Sequence, residues 1–188
     1  MTALINPGEI TEDTIRRAAK IHLILMDVDG VLTDGTIHFA PGPDGQMMET
    51  KGFNSQDGLG LHFCNSVGIK TGVISGRDSK ATVARAEMLK MTYVYQGLLA
   101  KEETYDSILR ESGLRSEQVA FIGDDFTDAP LMQRSGLGVA VANARQEVKN
   151  VANLVTCARG GDGAVREVIE LILKSRNLWQ EVLEKYRL

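Results

Sequence analysis

Four stretches of the sequence carry groups able to do chemistry, and each follows a run that reads as a strand. Asp27 and Asp29 close the run His22-Leu-Ile-Leu-Met-Asp27 within Asp27-Val-Asp-Gly30. Ser75-Gly-Arg77 follows Lys70 to Ile74. Lys101 opens a helical stretch after Thr92 to Gln96. Gly123-Asp-Asp125, with Asp128 just beyond, follows Gln118 to Ile122. Carboxylates gathered in one place repel, so they must hold protons or share a cation. Hard oxygen donors with few protein ligands suit Mg²⁺, which keeps several waters and also binds substrate phosphate. With a metal and a lysine offsetting the phosphate's charge, a carboxylate such as Asp27 can attack phosphorus. Ser75 and Lys101 can hold the remaining phosphoryl oxygens, assisted by backbone N–H groups around Gly30 and Gly76. A second acid must protonate the leaving alkoxide and then activate water. Asp29, just past the strand and beside a glycine that permits a tight turn, is placed for that role.

Taken singly, each residue has an ordinary reading. A strand-end Asp is often a helix cap, Ser75 fits a turn, and Lys101 fits a solvated helix. Asp125 fits an N-cap for a helix starting at Thr127. Their order and spacing give them weight together.

The elements that must position these groups follow from periodicity and punctuation. A first helix runs to Lys20 behind Thr11 as N-cap. Strands are expected over 22–27, 70–75, 92–96, 118–123, 137–142 and 153–156. Helices are expected over 57–67, 78–90 (capped by Asp78), 101–112, 127–134, 144–151 and 163–174. The last carries Val165, Val168, Ile169 and Ile172 on one face. Residues 36–40 and 46–51 flank Pro41-Gly-Pro-Asp-Gly45 and predict a β-hairpin. This alternation predicts an α/β fold: one Rossmann-like parallel sheet with helices on both faces, a hairpin insertion over about 36–51, and no cap domain. The whole chain, 1–188, reads as a single domain with a tail over about 175–188. In such sheets the active crevice lies at the carboxyl ends of the strands, where all four stretches fall. Trp179, Leu183 and Tyr186 form a late helical stripe, for which contact with a neighbouring subunit is favoured over packing on the domain. Met47, Met48, Met88, Met91 and Met132 are expected to be packing residues.

Composition bounds the rest. A chain of 188 residues with 43% hydrophobic and 24% charged residues can bury one sizeable core. The net charge of −4, with no long basic run, argues against nucleic-acid or membrane partners. The two cysteines, Cys64 and Cys157, lie far apart and read as free thiols of a reducing compartment. Residues 1–20 lack the apolar core of a signal peptide, and no run approaches the ~20 residues of a membrane span. A cytoplasmic protein is expected.

At Asp27-Val-Asp-Gly-Val-Leu-Thr-Asp34, Ser75, Lys101 and Gly123-Asp-Asp125 with Asp128, the sequence resembles the haloacid dehalogenase superfamily of phosphotransferases over nearly its whole length. The resemblance implies Asp27 as nucleophile and Asp29 as acid–base group. It implies Mg²⁺ on Asp27, the Asp29 backbone carbonyl and Asp124, with Asp125 and Asp128 supporting those ligands. Ser75 and Lys101 would be the second and third motifs. A narrower likeness lies in Phe53-Asn-Ser-Gln-Asp-Gly-Leu-Gly60, in Ile74-Ser-Gly-Arg77 with Arg85, and in Gly160-Gly-Asp-Gly-Ala-Val-Arg-Glu167. These resemble the 3-deoxy-D-manno-octulosonate 8-phosphate phosphatase family of lipopolysaccharide sugar synthesis. That family implies a capless homotetramer in which the hairpin and tail of neighbours, here residues 36–51 and Gly160-Gly161 onward, help close each site. It implies sugar contacts at Asp29, Asn54, Ser55, Gln56, Asp57, Gly58, His62, Gly76, Arg77, Arg85 and Lys101. Gln56, His62 and Asp162 depart from it, because basic residues are usual at those places; Arg159 stands near the last. The departures bear on the sugar, with a nine-carbon keto-acid phosphate as the alternative. A phospho-accepting receiver domain uses similar residues, but has the acid pairs in another order and no need of Asp29. A non-catalytic oligomerisation module would show a damaged acid set, whereas every acid is present here.

Overall fold

The computed structural model describes residues 9–98 and 100–188; the first eight residues of the segment read above as free of a signal peptide lie outside them. Chain order gives eight strands and eight α-helices among the described residues. The first half comprises α1 (Glu12–Ala18), β1 (Leu23–Met26), β2 (His38–Pro41), β3 (Met47–Thr50), α2 (Ser55–Ser66), β4 (Lys70–Ile74), α3 (Lys80–Met88) and β5 (Tyr93–Tyr95). The second comprises α4 (Glu102–Ser112), β6 (Val119–Gly123), α5 (Ala129–Arg134), β7 (Leu137–Ala140), α6 (Gln146–Lys149), β8 (Leu154–Val155), α7 (Ala164–Ser175) and α8 (Trp179–Lys185).

Six strands form one parallel sheet in the order β5-β4-β1-β6-β7-β8, and β2-β3 form the separate antiparallel hairpin. Helices cover both faces of the sheet. All four residues of β1 are buried, as befits a central parallel strand covered on both sides. Met26 pairs with Val73 on one side and Ile122 on the other. Asp27, Ser75 and Asp124 therefore emerge at one level, just past the ends of β1, β4 and β6. The chain leaves β1 toward β4 on one side, and leaves β6 toward β7 on the other. The crevice between β1 and β6 is thus the switch point at which ligands of such sheets bind.

Several boundaries move for local reasons. The α1 cap is as expected, with Thr14 N–H donating to Thr11 Oγ1 at 3.1 Å. The second helix starts at Ser55, because Asn54 Oδ1 accepts the Gln56 and Asp57 N–H groups. Asp78 does not cap α3, which begins at Lys80. Asp125 does not cap α5, which begins at Ala129; its Oδ1 takes the adjacent Phe126 N–H instead. Pro130 sits in the first turn of α5, where a missing N–H costs nothing. The hairpin pairs Pro41 with Met47, closed by Gly42 N–H to Gln46 O at 2.7 Å.

The expected apolar stripe of α7 is buried, and α7 packs on α2 and α1. The late stripe touches its own domain, while Tyr186 stays exposed. Trp179 and Tyr186 meet the Phe63 ring of α2 edge to face, at 6.1 and 5.6 Å, and Val182 is buried beneath them. The Arg166 guanidinium lies 4.6 Å from the Phe63 centroid. Aromatic edges and a cation thus draw α8 back onto its own domain. Met132 is buried and Met91 packs on the core, but Met47, Met48 and Met88 are exposed rather than packed. Cys64 and Cys157 are free. No helix of the described residues is long and apolar enough to cross a membrane.

Candidate active site

The turn after β1 is built from one carbonyl. Val28 O accepts the N–H groups of Val31, Leu32 and Thr33, and Gly30 takes φ +92°, a region that disfavours side chains. A Cβ at Gly30 would overlap the Asp124 carboxylate, so the bare glycine lets the β1 and β6 acids approach. Behind it, a Cβ at Gly160 would overlap Gly30 O. Asn143 ties the two segments together: its Nδ2 donates to Gly30 O at 2.9 Å and its Oδ1 accepts Gly160 N–H at 2.6 Å. Gly161 N–H adds a bond to Val31 O. The Gly160-Gly161 segment is thus fastened to the turn after β1. Gly160→Ala should cost about 1–3 kcal/mol by overpacking this contact, read as a lower midpoint in urea unfolding.

A cavity of about 420 Å³ opens at this edge, lined by Asp27, Asp29, Ser75, Gly76, Arg77, Lys101, Asp124, Asp125 and Thr127. Lys101 is the buried cation of the cavity. Its Nζ lies 2.9 Å from Asp27 Oδ1 and 2.7 Å from Asp128 Oδ1. Burial opposes its charge, but Asp128 and Asp27 outweigh burial and push its pKa up, so it stays an ammonium. Asp128 is fully buried and spends its other oxygen on the N–H groups of Asp124 and Asp125. Burial, reinforced by Asp128, raises Asp27 to about 6 against the pull of Lys101. Burial, with Asp128 and Asp27 adding repulsion, raises Asp124 to about 8. Oxygens of Asp27, Asp124 and Asp128 all lie within 4.8 Å of one another. Asp124 Oδ1 is buried with no protein hydrogen-bond partner. An orphaned buried oxygen and repelling hard donors fit a small divalent cation such as Mg²⁺. Because Asp128 is committed to Lys101 and two amides, Asp27 and Asp124 are the carboxylates open to the ion.

Asp29 also lines the cavity, and its carboxylate meets two other cations. Its Oδ1 bonds Lys51, and its Oδ2 lies 3.4 Å from Arg77 Nε. Ser75 is buried, with its Oγ accepting the Arg77 N–H at 3.3 Å.

The residues of α2 and its N-cap, with Arg85 of α3, are placed differently. Asn54, Ser55, Gln56, Asp57, Gly58, His62 and Arg85 are absent from the lining of the cavity. Asn54 is an N-cap; Ser55, Gln56 and His62 are exposed on α2. Asp57 is buried and accepts the Arg166 N–H at 2.7 Å, tying α2 to α7. A Cβ on Gly58 would overlap the Arg85 guanidinium, which donates to Asn54 O at 3.3 Å. Sequence reasoning missed Lys51, Glu49, Thr127 and Asn143. Only Glu49 and Lys51 left a signal: two opposite charges at strand spacing on one face of the hairpin.

The family model described as haloacid dehalogenase-like hydrolase matches residues 77–169. The chain is 42% identical to the 3-deoxy-D-manno-octulosonate 8-phosphate phosphatase of Yersinia pestis, over 90% of this chain and 89% of that one. It is 38% identical to the enzyme of the same name from Escherichia coli K12, over 93% and 90%. The crystal structure of the Moraxella catarrhalis phosphatase of this name, in complex with magnesium, phosphate and KDO, superposes with a TM-score of 0.88 at 35% identity, covering 95% of this chain and 99% of that one. The chain belongs to the 3-deoxy-D-manno-octulosonate 8-phosphate phosphatase family of haloacid dehalogenase-like hydrolases, and is a phosphoric monoester hydrolase.

Proposed function

We propose that the chain hydrolyses 3-deoxy-D-manno-octulosonate 8-phosphate through an aspartyl-phosphate on Asp27, in lipopolysaccharide precursor synthesis. The observation that carries this reading is the Asp27 carboxylate, at the cavity 2.9 Å from the buried Lys101 ammonium and clustered with Asp124. Mg²⁺, held by Asp27, Asp124 and the Asp29 carbonyl, would offset phosphate charge when bound. Asp27 attacks phosphorus while Ser75 Oγ and Lys101 Nζ hold the phosphoryl oxygens. Asp29 gives a proton to the departing sugar oxygen, then takes one from the water that cleaves the acyl-phosphate. Arg77, half exposed at the cavity, offers a guanidinium to the sugar acid.

Asp29→Asn is expected to slow turnover about 10²–10⁴-fold, since the amide neither gives nor takes that proton; steady-state phosphate release reads it. A cytoplasmic homotetramer belongs to the same proposal. In it, the hairpin and the tail of neighbouring copies would help close each cavity. A phosphate-release screen across eight- and nine-carbon keto-acid phosphates tests the substrate. The eight-carbon acid should give the highest kcat/KM; faster release from the nine-carbon acid would transfer the reading to that sugar. Release that stops after one turnover would favour a phospho-accepting module instead.

A further inference from the structure

The hairpin ends in an inward-facing charge pair. Glu49 and Lys51 alternate along β3 and its exit, so both project to one side. Lys51 Nζ bonds Asp29 Oδ1 and lies 3.2 Å from Glu49 Oε1. Arg77 serves the other oxygen of each acid, with Nε 3.4 Å from Asp29 Oδ2 and Nη1 3.6 Å from Glu49 Oε2. Two cations and two carboxylates thus alternate around a ring. The cations differ sharply in burial: the Lys51 side chain is 3% exposed and the Arg77 side chain 47%. Arg77 lines the cavity, whereas Lys51 and Glu49 stand outside its lining, behind Asp29. An exposed guanidinium at these distances is loosely held and free to exchange partners. A buried ammonium between two carboxylates is a fixed post, because leaving either acid would strand a charge away from water.

We propose that Lys51 is a positioning residue: through Oδ1 it holds the Asp29 carboxylate so that Oδ2 is the oxygen presented to the cavity. The inference rests on the reading of Asp29 as the acid–base group. Asp29 lies next to Gly30, and the contacts that orient its carboxylate are those to Lys51 and Arg77. A proton donor acts only within hydrogen-bond reach of the leaving oxygen, and a misplacement of about 1 Å costs on the order of 10²-fold in rate. The hairpin, whatever it does between subunits, then has a task inside its own chain.

The test compares Lys51→Met, Lys51→Arg and Asp29→Asn in the full chain with Mg²⁺ present, on the eight-carbon sugar-acid phosphate and on p-nitrophenyl phosphate. Lys51→Met should lower kcat on the sugar phosphate about 10²-fold and leave KM within about threefold. On p-nitrophenyl phosphate it should give a burst of about one nitrophenolate per site and then slow release. That leaving group departs without an acid, while acyl-phosphate hydrolysis still needs the base. Lys51→Arg, which keeps charge and donor, should recover most of kcat. A Lys51→Met protein that turns over within threefold of the parent overturns the proposal, as does one that is slow without a burst. So does one that loses its folded near-UV signature, which would make Lys51 a structural residue. If Asp29→Asn itself turns over normally, the acid–base reading of Asp29 is what fails. If Asp29→Asn is slow and Lys51→Met is not, only the role of Lys51 falls.

Discussion

Asp27→Asn is expected to abolish turnover, by about 10⁴-fold or more toward the uncatalysed background. The amide matches the carboxylate in shape but has no anionic oxygen to attack phosphorus. The substitution removes one negative charge from a crowded set. Asp27 sits with Asp124 and Asp128 around a single lysine, and its own pKa is already pushed up to about 6 by burial and by Asp128. Neutralising it relieves repulsion, so the metal-free variant should melt no lower than the parent. Lys101 keeps Asp128 as a partner at 2.7 Å. Loss of rate without loss of fold is therefore the expected signature. Phosphate release measures the first and a thermal melt the second. Turnover that survives the substitution would remove Asp27 from the nucleophile's role.

Removing divalent cations should also take turnover to background, with Mg²⁺ restoring it. Stability provides a second readout. Asp27 and Asp124 have folded-state values of about 6 and about 8, both above the ordinary 3.8. Between those values the folded protein binds more protons than the unfolded chain does. Stability is then fully present below about pH 4 as far as these two groups go, and is lost as pH rises through 6 and 8. The chelated protein should therefore melt at a lower temperature at pH 8 than these groups would allow at pH 5. Mg²⁺ should raise the melting temperature more at pH 8, where the acids are ionised and free to bind it. At 100-fold excess over Kd that stabilisation is about 2.7 kcal/mol. An activity unmoved by chelator, with no Mg²⁺-induced shift at pH 8, would overturn the metal assignment.

The main features of this site lie in short segments, and that is why they were legible. Asp27, Ser75 and Asp124 each stand at the end of an apolar run, and a parallel sheet brings such ends to one edge whatever the details of packing. The same logic made the α7 stripe readable from its period. Helix starts were less secure. Asp78 and Asp125 both have the side chain of a cap, yet neither caps a helix.

By itself, then, the sequence determined the sheet, the edge and the residues that arrive there, because backbone pairing and apolar burial act over a few neighbouring residues. Only the tertiary structure decided how those residues face. Lys101 meets Asp128 across 27 residues, Lys51 meets Asp29 across 22, and Asn143 meets Gly30 across 113. The fold-back of α8 onto Phe63 and the fastening of Gly160 behind Gly30 are of the same kind. Such contacts leave no period in the chain, since a single ion pair or hydrogen bond needs one partner at one distance. Three-dimensional packing alone supplies that partner.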